Sequence, residues 1–116
     1  MGYALKSRKE FAKRRNERRS VLGYQMENEA EKVLRQAVED GVFTSVTHHP
    51  PTMPYKDFTV GKMVNGVEEF RDFGMTISLK VWSERRNRGG AVQFCFPIGT
   101  KPETVIRRVL ELFKEP

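Results

Sequence analysis

The chain has 116 residues, of which 38% are hydrophobic and 31% charged, and it carries a formal net charge of +6 and a single cysteine, Cys95. That length supports one domain with one core, and the lone cysteine excludes an internal disulfide and a multi-cysteine zinc site. No apolar run approaches the roughly 18 residues that cross a bilayer, and no apolar stretch near the N-terminus resembles an export signal, so a cytoplasmic chain without a membrane partner is predicted.

The first 20 residues hold the entire charge excess. Lys6, Arg8, Lys9, Lys13, Arg14, Arg15, Arg18 and Arg19 stand against Glu10 and Glu17, and the rest of the chain is balanced. A basic segment on a neutral body is a device for holding a polyanion, most often nucleic acid; the bland alternative is a solvated tail. Residues 4–20 lack Gly and Pro and are rich in helix formers, but an arm with so few apolar residues makes a marginal helix alone. The arm is therefore read as helical or disordered, ordering on its partner. Gly23 is the predicted break, giving an arm over 1–22 and a single domain over 23–116.

From Tyr24 to Asp40, Met26, Ala30, Val33, Leu34, Ala37 and Val38 recur at helical spacing, and Gly41 follows as a stop. Glu27, Glu29 and Glu31 fall in the predicted first turns, where the helix dipole favours anions. Val42–His48 reads as a short strand, and His49-Pro50-Pro51 with Pro54 as a stiff connection. Tyr55–Val64 is a second strand and Asn65-Gly66 a hairpin signal; a two-residue turn, the better local fit, sets Asp57 opposite Gly74, whereas a looser loop centred on Val67 and Glu68 sets it opposite Ser78 and beside Lys80. Phe73, Met75, Ile77, Leu79 and Val81 alternate strictly, which predicts one long strand. A basic turn, Arg85-Arg86-Asn87-Arg88-Gly89-Gly90, leads to a fourth strand with Val92, Phe94, Phe96 and Ile98. Thr100 and Glu103 read as a capping box before a final helix with Val105, Ile106, Val109, Leu110 and Phe113.

The predicted fold class is α+β in two layers: a four-stranded, mainly antiparallel sheet with two helices on its apolar face, in the order α-β-β-β-β-α. Alternation turns Asp57, Thr59, Asp72, Thr76, Ser78, Lys80, Trp82, Gln93 and Cys95 to the other face. Three readings of that face stay open: a plain solvated surface, a nucleic-acid platform with Trp82 stacking on bases, and a homodimer interface. His48 and His49 are adjacent on a strand and point oppositely, so a shared metal is not expected of them.

Several short motifs resemble the PD-(D/E)XK endonuclease-like superfamily, which includes restriction enzymes and Holliday-junction resolvases. Gly23-Tyr-Gln-Met-Glu27-Asn-Glu-Ala-Glu31 is similar to its opening helix with a glutamate. Lys56-Asp57-Phe58-Thr59-Val60 is similar to its strand beginning near an aspartate. Where the family carries Glu-x-Lys on the next strand, this chain has Ser78-Leu79-Lys80. The resemblance covers residues 23–81 and implies Mg²⁺ held by Asp57 with Glu27 or Glu31, and Lys80 as the catalytic cation beside Asp57. The chain departs from it at Ser78, and also in placing only a turn where the family has a helix before the next strand.

The leading expectation is thus a nucleic-acid-binding protein making backbone contacts through its arm and through Arg85, Arg86 and Arg88, nuclease-like but without activity and needing no cofactor. The alternatives are a Mg²⁺-dependent nuclease and a dimeric adaptor.

Overall fold

The computed structural model describes residues 2–53, 55–85 and 91–114, and the side chains of 21–53, 55–79, 81–83 and 91–114 among them. In chain order the elements are α1 (Gly2–Glu39), β1 (Ser45–His48), β2 (Phe58–Val64), β3 (Val67–Thr76), α2 (Leu79–Arg85), β4 (Val92–Cys95), α3 (Pro102–Leu110) and a 3-10 turn over Glu111–Phe113. The sheet runs β1-β2-β3-β4, antiparallel except for the parallel pair β3–β4. The fold is α+β, as the pattern of apolar residues predicts. No helix among the described residues is long and apolar enough to cross a membrane.

α1 runs through Gly23 without interruption, because nothing near it demands a positive φ and flanking helix formers carry the ladder across. The arm and the first body helix are therefore one element, and Glu27, Glu29 and Glu31 lie in its interior rather than at its start. Its C-terminal stop is as expected. Gly41 takes φ +82, the Gly41 N–H bonds to Val38 O and the Val42 N–H to Ala37 O, the paired bonds of a Schellman motif. Asn65 and Gly66, both at positive φ, close the hairpin in the tight register, with Phe58 opposite Phe73 and Thr59 opposite Asp72.

The sequence expectation fails after Thr76. The chain leaves the sheet there, and Leu79, Lys80 and Trp82 lie on α2, not on a strand. Ser78 starts that helix: its Oγ accepts the Val81 N–H at 3.4 Å, as a helix-capping serine does. With a helix between β3 and β4, the chain can re-enter the sheet parallel to β3, and the order becomes α-β-β-β-α-β-α. The capping box at Thr100 also fails, since Thr100 Oγ1 donates to Pro97 O and α3 begins after Lys101 with Pro102 at its first position.

α1 and α3 pack together over one face of the sheet. The core is built on aromatic rings in a cross-strand row: His48, Phe58, Phe73 and Phe94, with centroids 4.4, 5.3 and 5.4 Å apart, continuing to Phe96. Such cross-strand neighbours stabilise sheets by packing beyond simple area burial. Ala30, Leu34, Val105 and Val109 close the core from the helices, all with no exposed surface. Arg71 fixes the last turn of the chain to β3, donating from Nε to Leu112 O at 3.1 Å with its guanidinium over the Phe113 ring.

Candidate functional site

The aromatic row ends in a cleft. His48, last residue of β1, stacks on Phe58 and is held there by α1: its Nδ1 lies 3.2 Å from Glu31 Oε1 and its Nε2 3.9 Å from Glu27 Oε2. Glu27 and Glu31 are one helical turn apart and so present both carboxyls to one side of α1. Asp57 joins them just before β2. Its Oδ2 accepts the Met75 N–H at 2.7 Å, and its carboxyl hydrogen-bonds to Glu27. The cleft between these groups measures about 470 Å³ and is floored by Met75 and Ile77, with Tyr24 at its rim.

Burial first, then the hydrogen bond and negative charge of Asp57, push the Glu27 carboxyl up from its ordinary 4.5 to about 8. Asp57 thus meets Glu27, as the resemblance implies, but it turns toward α1, away from the face that alternation gave it. Residues immediately outside a strand are freed from its alternation.

Lys80 does not belong to the sheet, and the residues that line the cleft beside Asp57 are Met75, in β3, and Ile77, just after it. Ser78 is the cap of α2. A magnesium ion requires several oxygens in near-octahedral array. Here Met75 and Ile77 offer none, Glu31 is engaged by His48, and Asp57 Oδ2 is engaged by the Met75 amide. No group of three or more His, Cys, Asp or Glu side chains placed to hold a metal occurs among the described residues. The donor set does not fit the ion that the resemblance implies.

The sheet's second face is less open than expected. His49 turns away from His48, as adjacent strand positions dictate, and its Nε2 lies 2.6 Å from Thr59 Oγ1. Thr59 Oγ1 in turn donates to Asp72 Oδ1, and Lys56 Nζ stands 3.6 Å from Asp72 Oδ2. Gln93, expected to be wet, is buried, and its amide donates to Tyr55 O at 2.7 Å and to Ala91 O. It fits because Gly74 has no side chain: a Cβ there would sit 2.4 Å from Gln93 Oε1 and from Tyr55 O. Trp82 Nε1 donates to Gln93 O at 2.7 Å, so the indole is tied to β4 from α2. Cys95 is half-buried, and burial raises its thiol pKa, the reverse of an activated nucleophile.

The side chains of Lys6, Arg8, Lys9, Lys13, Arg14, Arg15, Arg18 and Arg19 lie outside the described residues, as do Arg86, Arg88 and the side chains of Lys80 and Arg85. His48, Met75 and Ile77 are the cleft residues that sequence reasoning passed over. Alternation from Val46 places His48 on the core face, one signal that pointed to it. No family model, curated protein or solved structure matches the chain.

Proposed function

We propose that the protein binds nucleic acid, holding the phosphate backbone with the arm that prolongs α1. The observation carrying this reading is the separation of charge along one helix: the whole +6 falls in the first 20 residues, and the body that follows is balanced. A helix of 38 residues is about 57 Å long, and its first 20 residues extend about 30 Å, the length of about nine base pairs. Lys and Arg on that stretch release condensed counterions from the backbone, a gain that depends little on sequence. Arg85 at the end of α2, with Arg86 and Arg88 after it in the sequence, adds three cations.

The reading is tested by fluorescence anisotropy of labelled duplex DNA, single-stranded DNA and RNA. The full-length chain is compared with one in which all eight arm cations are replaced by Gln, a residue that keeps helix propensity. A loss of at least about a hundredfold in affinity near physiological salt is expected. Equal affinities for the two proteins contradict the reading.

A nuclease-like body draws support from the order of elements, with Glu27 on the first helix, Asp57 before β2, and a helix between β3 and β4. The cleft's chemistry supports binding without cutting, because Met75 and Ile77 stand where hydrolysis would need an acid and a cation. No cleavage of plasmid, linear duplex or single strand is expected in Mg²⁺ or Mn²⁺. Cleavage by the wild type that Asp57→Ala abolishes contradicts this.

A further inference from the structure

The sheet ends in β1 on one side and β4 on the other, and the two edges are finished differently. Beside β4, the Phe96 N–H bonds to Thr76 O, so Phe96 and Phe94 turn their backbone groups to β3 and Gln93 turns its own outward. The outward Gln93 carbonyl is taken by the Trp82 indole of α2. Beside β1, the His49 N–H bonds to Asp57 O and Thr47 stands opposite Thr59, so Ser45, Thr47 and His49 turn their backbone groups to β2. Those of Val46 and His48 therefore point away from the sheet, and they have no partner among the described residues. Natural edges are commonly blunted by lysine or proline, and Ser45–His48 contains neither.

A groove of about 350 Å³ runs beside this edge, lined by Ser45 and Val46 of β1 and by Arg35, Val38 and Glu39 of α1. Here α1 and β1 lie antiparallel, since His48, at the far end of the strand, meets Glu27 and Glu31 instead. Val38 and Val46 are only half-buried and leave apolar surface in the groove. Arg35 and Glu39 are exposed, opposite in charge and one helical turn apart. One nitrogen of Arg35 reaches Glu31 at 3.5 Å, which leaves most of its donors unused, and Glu39 is in no ion pair among the described residues.

We propose that β1 pairs antiparallel with β1 of a second copy, so that the two sheets become one across a two-fold axis. The axis stands perpendicular to the sheet, which keeps both α1 helices on the same side and sets them side by side and antiparallel. Arg35 of each copy then faces Glu39 of the other, and Val38 and Val46 are closed off from water. An isologous contact requires one patch to complement itself. This patch does so in three ways: an edge with both donors and acceptors, an apolar strip, and both signs of charge. The balance of charge favours a second copy over a polyanion at this edge. The interface uses neither the arm nor the cleft, and the proposal stands apart from the nucleic-acid reading.

The test is sedimentation velocity of the full-length chain over a micromolar concentration series, after nuclease treatment so that no nucleic acid bridges two copies. The wild type is expected to dimerise as concentration rises. Val46→Pro removes the outward amide, a change that edge strands tolerate, and is expected to weaken the dimer by about tenfold or more. Arg35→Glu and Glu39→Arg each set like charges against one another across the axis, and each is expected to sediment as a monomer. An equimolar mixture of these two variants is expected to recover the dimer, because one copy then brings only acids and the other only bases. If Val46→Pro fails to fold, the charge variants and their mixture decide. Phe70→Ser, on the second face where Phe70 is 53% exposed, is expected to leave association unchanged. A monomeric wild type overturns the proposal, as does a dimer that the charge variants leave intact, a mixture that stays monomeric, or a dimer that Phe70→Ser dissolves.

Discussion

Asp57 is the residue on which the cleft depends, because it touches two elements, β3 and α1. Its carboxylate takes the Met75 amide from β3 and interacts with the Glu27 carboxyl of α1. Removing it leaves the buried Met75 N–H without its acceptor, and such an orphan costs more than the bond itself was worth. Asp57→Ala is expected to destabilise the protein by about 2–4 kcal/mol, measured by urea unfolding. Asp57→Asn, which still accepts from Met75, is expected to cost less than half of that. Equal losses for the two variants would show that shape rather than the acceptor matters at this position.

At the scale of elements, the instructive case is the stretch from Phe73 to Trp82. Alternation of Phe73, Met75, Ile77, Leu79 and Val81 fits a strand, yet the strand ends at Thr76 and Leu79 is 68% exposed on a helix. The alternation beyond Thr76 is not a sheet's: Ile77 lines the cleft before α2, and α2, which carries Leu79 and Val81, rests on β3 and β4 and needs only part of one face apolar. Ser78 was the local signal against a long strand. Its hydroxyl competes for backbone N–H groups, as capping serines do. Ser78→Ala is expected to cost about 1 kcal/mol, read as a shift in the urea midpoint without a change of slope. No shift would mean that tertiary contacts alone hold α2. By contrast, the Asn65-Gly66 turn, the Gly41 stop and the inward Phe58, Val60, Phe73 and Phe94 were legible, because each rests on short-range geometry or on burial that no tertiary partner reverses. The meeting of Glu27 with Asp57 was legible only through the resemblance. The burial of Gln93 was not legible at all, since it depends on the empty space at Gly74 across a parallel pair that the predicted order did not contain.

At the scale of the molecule, charge and fold are divided between the two halves of one long helix. From Met26 onward α1 contributes Met26, Ala30, Leu34 and Ala37 to the core, while its first 20 residues carry the cations. Because α1 is continuous through Gly23, the arm leaves the body in a direction set by core packing. The central claim is that this arm holds a polyanion through counterion release, and the salt dependence of binding tests it most directly. Affinity for duplex DNA is measured over a salt series for the full-length wild type and for the chain with its eight arm cations replaced by Gln. The expected log–log slope is steeper for the wild type than for the variant by up to about 7, about 0.9 per phosphate neutralised by the arm, the variant keeping only a slope near that of Arg85, Arg86 and Arg88. The same slope for both proteins contradicts it.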